Sequence, residues 1–310
     1  MKIICITQVK HLKGIARHLE SFGTVDYFEE TSKDNLIKIM SENTYDVIFC
    51  NPNKQRFILN EDILSNHKGK TILTASTGLN HIDVKYCESN NIKVLSLTKD
   101  YDLINDLPST AELSFGLMLS LLRKIPHSFS DVVEGNWDYD RFMGRQLKGM
   151  KVGIIGYGRL GKMMSKYCQT FGMEVLVYDP YVKGTLPLDT VLSQSDVISL
   201  HVHVTDETRK MVNRKFLTLM KDNSYIINTS RGEVVDEVEI VNALQEGRLG
   251  GYGTDVIADE YSGNRLYNPI IIGVRVGLNI VVTPHIGGMT WEGQQKAYKW
   301  AIDKLKDIND

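Results

Sequence analysis

Short runs of β-branched and aliphatic residues recur along the chain at intervals that leave room for one helix between them. In the first third they fall at 2–7, 46–51, 71–76 and 92–97. Further on they fall at 151–156, 174–179, 196–201, 224–228, 252–256 and 279–283. Strands alternating with helical stretches predict βαβ units, parallel sheets and an α/β fold. Parallel sheets are covered on both faces, which explains runs that are near-continuously apolar instead of alternating. One helix start is signposted by Pro108 before Ser109-Thr110-Ala111-Glu112, where Ser109 is expected to cap and Glu112 to close a capping box. The apolar run 113–122 follows. It is too short to span a bilayer and predicts a buried helix. Further helices are predicted at 237–246, stopping at Gly247, and along the amphipathic tail 290–308. The polar stretch 99–107 reads as a linker.

At roughly 150 residues per domain, 310 residues imply two domains. Counted without the 14 Tyr and with the 25 Gly, the apolar share is roughly 46%, within the ~45–50% of ordinary globular proteins. With 36 basic against 38 acidic residues there is no basic excess of the kind nucleic-acid binders show, so no nucleic acid is expected as a partner. The N-terminus, Met1-Lys2-Ile3-Ile4-Cys5-Ile6-Thr7, lacks the apolar region and cleavage site of a secretory signal. Cys5, Cys50, Cys87 and Cys168 are scattered without a CxxC pair, which predicts buried, reduced thiols. The expectation is a soluble, cytoplasmic protein with no membrane partner.

The run 151–155 leads into Gly156-Tyr157-Gly158-Arg159-Leu160-Gly161, a GxGxxG. A lone GxGxxG is a weak signal, but here a β-run precedes it and a helical segment, 162–171, follows. A second strand then ends at Asp179, 18 residues after Gly161. That is the order of a dinucleotide fingerprint. Gly156 permits the tight turn, Gly158 lets backbone approach a pyrophosphate, and Gly161 lets helix and strand pack closely. The helix N-terminus supplies amide donors to phosphate. Asp179 can accept ribose hydroxyls and would repel a 2′-phosphate, and Pro180-Tyr181-Val182 bring no Arg to receive one, so NAD is favoured over NADP.

Three ionisable residues follow strand-like runs where parallel sheets place their sites: Arg231 after 224–230, Glu260 beyond 252–256, and His285 after Val281-Val282-Thr283-Pro284. Singly, each has an ordinary explanation as an ion-pair partner, a solvated loop charge or a satisfied histidine. Together, downstream of the fingerprint, they resemble the D-isomer-specific 2-hydroxyacid dehydrogenase family, which includes D-3-phosphoglycerate, D-lactate and glyoxylate/hydroxypyruvate enzymes. The resemblance extends over nearly the whole chain. It includes Thr77-Gly78-Leu79-Asn80-His81-Ile82-Asp83, Ser109-Thr110-Ala111-Glu112, Gly144-Arg145-Gln146-Leu147-Lys148-Gly149, Leu200-His201 and Thr205-Asp206-Glu207-Thr208. The stretches 228–232, 255–260 and 283–288 complete the set.

The resemblance implies two doubly wound, Rossmann-like parallel-sheet domains. An NAD-binding domain, 101–287, would be inserted in a flavodoxin-like substrate domain made of 1–100 and 288–310. A cleft at their junction would close on the substrate. It implies His285 as general acid/base, Glu260 as its partner, and Arg231 as the clamp on the substrate's carboxylate and carbonyl. The chemistry agrees. Hydride arriving at a 2-keto carbon creates an alkoxide that needs a proton, a carboxylate fixes an imidazole tautomer, and a guanidinium matches a carboxylate bidentately. The cofactor set it implies is Thr110, Gly156, Tyr157, Gly158, Arg159, Leu160, Gly161, Asp179, His201, Thr205, Thr229, Ser230, Arg231, Asp255, His285, Gly287 and Gly288. The substrate set is Thr77, Gly78, Arg231 and His285. A homodimer formed through the cofactor domain is also implied.

The sequence departs from the family at several points. Tyr261 and His203 stand where Pro is usual, and the segment 261–277 is longer than usual, which puts the customary substrate pocket in doubt. Asn51-Pro52-Asn53-Lys54 replaces the Arg/Ser/Thr-rich stretch of phosphoglycerate-type members and weakens a phosphorylated-substrate reading. With the sequence ending at Asp310, the regulatory domain some members carry is not expected. His201 and His203 form an HxH expected on one strand face, but two ligands without a third do not make a metal site, and none is expected. The reaction expected is hydride transfer between NAD(H) and C2 of a small 2-hydroxy/2-keto acid. The alternative is an NAD(H)-sensing, corepressor-like binding protein of the same family. A short-chain dehydrogenase is excluded because none of the 14 tyrosines has Lys four residues on. Formate dehydrogenases of the superfamily pair their His with Gln, and Glu260 argues against that substrate.

Overall fold

Val47–Cys50 shows why the apolar runs are strands of a parallel sheet: all four residues are buried, so neither face meets water. Thr71–Thr74 and Val197–Leu200 share this pattern. The computed structural model describes residues 1–52, 57–260 and 264–308. Asn53, Lys54 and Tyr261 lie outside the described residues. Two compact units are present, Met1–Leu107 with Met289–Asp310, and Pro108–Gly288.

The first unit holds a five-stranded parallel sheet of β1 (Lys2–Cys5), β2 (Thr24–Tyr27), β3 (Val47–Cys50), β4 (Thr71–Thr74) and β5 (Lys93–Leu95), in the order β2-β1-β3-β4-β5. β2 is the strand the hydrophobic pattern does not reveal. As an edge strand paired only to β1, its Thr-Val-Asp-Tyr sequence is exposed or half-buried and forms no apolar run. The helix Trp291–Asp303, capped by the Thr290 hydroxyl on the Gly293 amide, packs Ala297, Tyr298, Ala301 and Ile302 against Ile3, Phe49 and Leu73. Large side chains such as Ile302, Ile3, Phe49 and Leu73 each contribute about 1.5–3 kcal/mol on burial. The tail is α-helical only to Asp303, and a 3-10 turn, Lys304–Ile308, finishes it. The stretch expected as a linker contains a helix, Tyr101–Asn105, whose Leu103 joins the same core.

The second unit holds a six-stranded parallel sheet of β6 (Lys151–Ile155), β7 (Glu174–Tyr178), β8 (Val197–Leu200), β9 (Ser224–Asn228), β10 (Leu249–Thr254) and β11 (Ile280–Val282). Its order is β11-β10-β9-β8-β6-β7. The chain reverses direction across the sheet between β6 and β8, and a crevice at the carboxyl ends of the strands is the usual ligand site of such sheets. The helix Ser109–Leu122 covers one face, burying Leu117, Met118, Leu121 and Leu122. Its start differs from the expected capping box. Pro108 is already helical, at φ −81° and ψ −14°, and its carbonyl accepts from the amides of Ala111 and Glu112 at 2.8 and 3.0 Å. A pyrrolidine ring pre-sets that φ, so Ser109 becomes a first-turn residue instead of the cap.

The four cysteines are buried and unpaired, as the spacing predicts. No described helix is long and apolar enough to cross a membrane. The HxH face does not form. β8 stops at Leu200, His201 Nε2 lies 2.9 Å from the Ser199 hydroxyl, and His203 is exposed beyond the ladder.

Candidate active site

Gly156 leaves β6 at φ 92°, where the chain turns under the carbonyl of His201; any Cβ at this position would fall on that oxygen. A Cβ on Gly161 would fall on the Gly156 carbonyl, so the following helix, Arg159–Thr170, begins directly against the strand end. Gly158 precedes that helix with open space where its side chain would be. Lys162 is the residue whose amide closes the first turn, on the Gly158 carbonyl at 3.0 Å. The amides of Leu160 and Gly161 come before it in that turn, where a helix offers no acceptor of its own. Such an end suits an anion. At the end of β7, the Asp179 carboxylate is held by two backbone donors. Tyr157 N–H donates to Oδ2 at 2.7 Å and Tyr181 N–H to Oδ1 at 2.9 Å. A tight turn with room for a pyrophosphate, beside a fixed carboxylate for a ribose diol, fits a dinucleotide.

The rest of the expected cofactor set lies along the same sheet edge. Burial pushes the His201 imidazole down to about 4, so at neutral pH it brings no positive charge to the crevice. Thr205 sits in a turn closed by its amide on the Thr208 hydroxyl at 2.8 Å. Thr229 shares a 2.6 Å hydrogen bond with Ser114, which donates to the Thr110 carbonyl at 2.8 Å. A Cβ on Gly287 would crowd Asp255 and Thr110.

β9, β10 and β11 are neighbours, and each delivers one of the three ionisable residues from its carboxyl end. Arg231 follows β9 in a turn built by the buried Asn228. Its Nδ2 donates to the Arg231 carbonyl at 2.9 Å, while its Oδ1 accepts from the Ser230 amide at 3.0 Å and hydroxyl at 2.8 Å. The guanidinium Nη1 donates to the Ser230 carbonyl at 2.6 Å. After β10, the buried Asp255 accepts from the Thr283 hydroxyl at 2.5 Å and from the amides of Ile286 and Gly287 at 2.8 and 2.7 Å. Burial pushes its carboxyl up, while these three donors and His285 oppose the shift. The donors surround His285, which sits at φ 59°, a left-handed conformation that His tolerates better than most residues.

His285 Nδ1 lies 2.9 Å from both carboxylate oxygens of the buried Glu260. An ionised carboxylate only accepts, so Nδ1 carries the hydrogen and the ring's orientation is fixed. Nε2 is left as the nitrogen that can exchange a proton with a bound molecule. Sequence reasoning places these three residues correctly at strand ends but does not single out Asn228 and Thr283 as their supports. The one available signal is polarity: Asn228 closes the buried run Ile226-Ile227, and a buried amide must be hydrogen-bonded. Thr77 and Gly78 lie in the first unit beyond β4, with Gly78 N–H on the Ser76 hydroxyl at 3.1 Å. Among the described residues no three His, Cys, Asp or Glu side chains form a metal-binding group.

This is the crevice of a dinucleotide-binding α/β protein. The family described as D-isomer specific 2-hydroxyacid dehydrogenase, NAD binding domain, matches residues 115–287. Hydroxypyruvate reductase from Thermotoga maritima is 34% identical over 284 residues, covering 89% of this chain and 88% of that protein. Glyoxylate reductase from Thermococcus litoralis is 34% identical over 254 residues, covering 76% and 73%. The crystal structure of D-lactate dehydrogenase from Aquifex aeolicus, complexed with NAD and lactic acid, superposes with a TM-score of 0.80 at 27% identity, covering 100% of this chain and 95% of that one. The chain belongs to the D-isomer specific 2-hydroxyacid dehydrogenase family, a family of NAD-binding oxidoreductases.

Proposed function

We propose that this protein reduces a small 2-keto acid to its D-2-hydroxy acid with NADH, and catalyses the reverse reaction with NAD. The observation that carries the reading is the His285–Glu260 pair at 2.9 Å, on the strand ends beside the dinucleotide fingerprint. The names of the relatives, reductases of hydroxypyruvate and glyoxylate, support the substrate class. When bound in the crevice, the nicotinamide supplies or accepts the hydride at the substrate's C2. Arg231 forks its guanidinium onto the substrate carboxylate and orients the keto group. His285 gives the Nε2 proton to the keto oxygen as the alkoxide develops, and takes it back in the oxidative direction. Glu260 fixes the ring and stabilises the cation formed in that reverse step.

Asp179 accepts the adenosine ribose hydroxyls, and its charge, held by two backbone amides, disfavours a 2′-phosphate. NADH is therefore the preferred reductant over NADPH. In the second unit, Ile125, Phe129 and Val133 are exposed and, four residues apart on the helix Ile125–Val133, share one face of it. A second copy of the chain covers it in a homodimer, and light scattering is expected to give twice the chain mass; a single-chain mass contradicts this assignment.

The test is NADH oxidation over glyoxylate, pyruvate, hydroxypyruvate, 2-ketoglutarate and bulkier or phosphorylated 2-keto acids, repeated with NADPH. The kcat/KM ranking defines the substrate, because specificity is a ratio of those values. The expected result is turnover of one of the short, unphosphorylated acids, with NADH at least about tenfold better than NADPH, as one repelled phosphate worth ~1.4 kcal/mol would give. No oxidation with any acid, despite tight NADH binding, removes the reading and favours a sensing role.

A further inference from the structure

Glu237 begins the helix Glu237–Gln245, a place where an acidic residue is ordinary on a surface. Here the side chain is buried and turned inward. Its Oε1 accepts the Ala258 amide at 2.7 Å, and its Oε2 accepts from Asn268 Nδ2 at 2.6 Å. These two partners stand on opposite sides of Glu260 in the chain. Asn268 also caps the helix Pro269–Arg275 through the Ile270 amide at 2.9 Å and reaches the Ala258 carbonyl at 3.4 Å. Arg265 Nη1 donates to the Glu260 carbonyl at 3.0 Å. One carboxylate thus grips both limbs of the segment that carries Glu260.

The stretch ending at Glu237 starts at Arg231. Its Gly232 lies so close to Ile257 and Ala258 that a Cβ would fall on their backbone. The Arg231 turn and the Glu260 segment are therefore joined twice, at Gly232 and at Glu237. Between Ala258 and Glu260, Asp259 holds φ 54°, an uncommon conformation that persists where the surroundings over-determine it. Burial pushes the Glu237 carboxyl up to about 7, aided by nearby Asp259 and Glu233 and opposed by its two hydrogen bonds. A buried carboxyl is a costly way to fill space. Its use lies in what it holds.

We infer that Glu237 is a positioning residue for the reaction, setting the distance between Glu260 and His285 by clamping Ala258 and Asn268. The inference rests on the proposed role of the His285–Glu260 pair. Displacing a reacting group by about 1 Å can cost on the order of 10²-fold in rate. Glu237→Ala is therefore expected to lower kcat by about 10- to 100-fold while the KM for NADH stays within about twofold. Glu237→Gln keeps an acceptor for the Ala258 amide but turns an NH2 toward the Asn268 donor, and an intermediate loss is expected.

The readout that a merely structural role would not move is the 15N spectrum of the His285 ring, recorded with the melting temperature of each variant. In the wild-type ring Nδ1 should read as protonated whether or not Nε2 carries its proton, and both variants should lose this. Kinetics within about threefold of wild type and an unchanged ring spectrum would overturn the inference. So would a rate loss that tracks a lowered melting temperature while the ring spectrum stays intact. If wild-type protein turned over no 2-keto acid, the proposed function would fail, and the ring spectra of the Glu237 variants would still decide whether Glu237 sets the pair.

Discussion

Replacing His285 by Asn is expected to lower kcat for keto-acid reduction by about 10²- to 10⁴-fold, the range over which a positioned general acid acts. Asn is the informative substitution because position 285 holds φ 59°, which Asn tolerates and Ala does not. The turn itself is built by Asp255 with Thr283, Ile286 and Gly287, none of which the change touches. The fold and the fingerprint should therefore survive, and NADH affinity is expected within about threefold of wild type. Steady-state kinetics and NADH fluorescence titration read the two quantities separately. Turnover within about tenfold of wild type would remove the acid/base role from His285, and a parallel loss of NADH binding would show that the residue serves the cofactor instead.

Arg231→Lys should be nearly as damaging, and in a different parameter. Lys keeps the positive charge but not the fork, so one of two charge-assisted hydrogen bonds to the substrate carboxylate is lost, together with the planar alignment of the keto group. Such a bond is worth about 1.5–3 kcal/mol, or roughly 10- to 150-fold. The loss of orientation adds to it. The expected result is a fall in kcat/KM of about 10²-fold or more, most of it a rise in KM for the keto acid, with the KM for NADH little changed. The Asn228 scaffold bonds the Arg231 carbonyl and the Ser230 amide and hydroxyl, so the backbone has no reason to move in the Lys variant. An unchanged KM for the keto acid would mean that another group receives the carboxylate.

Much of this was legible in the chain because hydrophobic burial leaves a direct mark. Strands covered on both faces read as continuous apolar runs, and two of the fingerprint's glycines, Gly156 and Gly161, stand where a Cβ would strike the His201 and Gly156 carbonyls. Arg231, Glu260 and His285 could be placed at strand ends because each follows such a run. What the pattern could not show depends on partners far away in sequence. β2 is an edge strand with only β1 beside it, so its half-exposed residues leave no run to detect. The Ser109–Glu112 spacing matches a capping box, yet Pro108 is already helical and takes the start of the helix from Ser109. The HxH fails as a strand face because the ladder ends one residue before it. Glu237 is the instructive omission. Its place in a helix's first turn looks like an ordinary surface acid, and only the fold reveals that its carboxyl faces Ala258 and Asn268.

Glu260, His285 and Arg231 occupy three adjacent strand ends beside a dinucleotide cradle, an arrangement suited to carrying a hydride to C2 of a keto acid and a proton to its oxygen. The direct measurement is reduction of the preferred 2-keto acid with NADH deuterated at the nicotinamide C4 position that is transferred, followed by mass and chiral analysis of the product. The account predicts one deuterium at C2 and the D-2-hydroxy acid alone. A product without deuterium at C2, or one of L configuration, would contradict it.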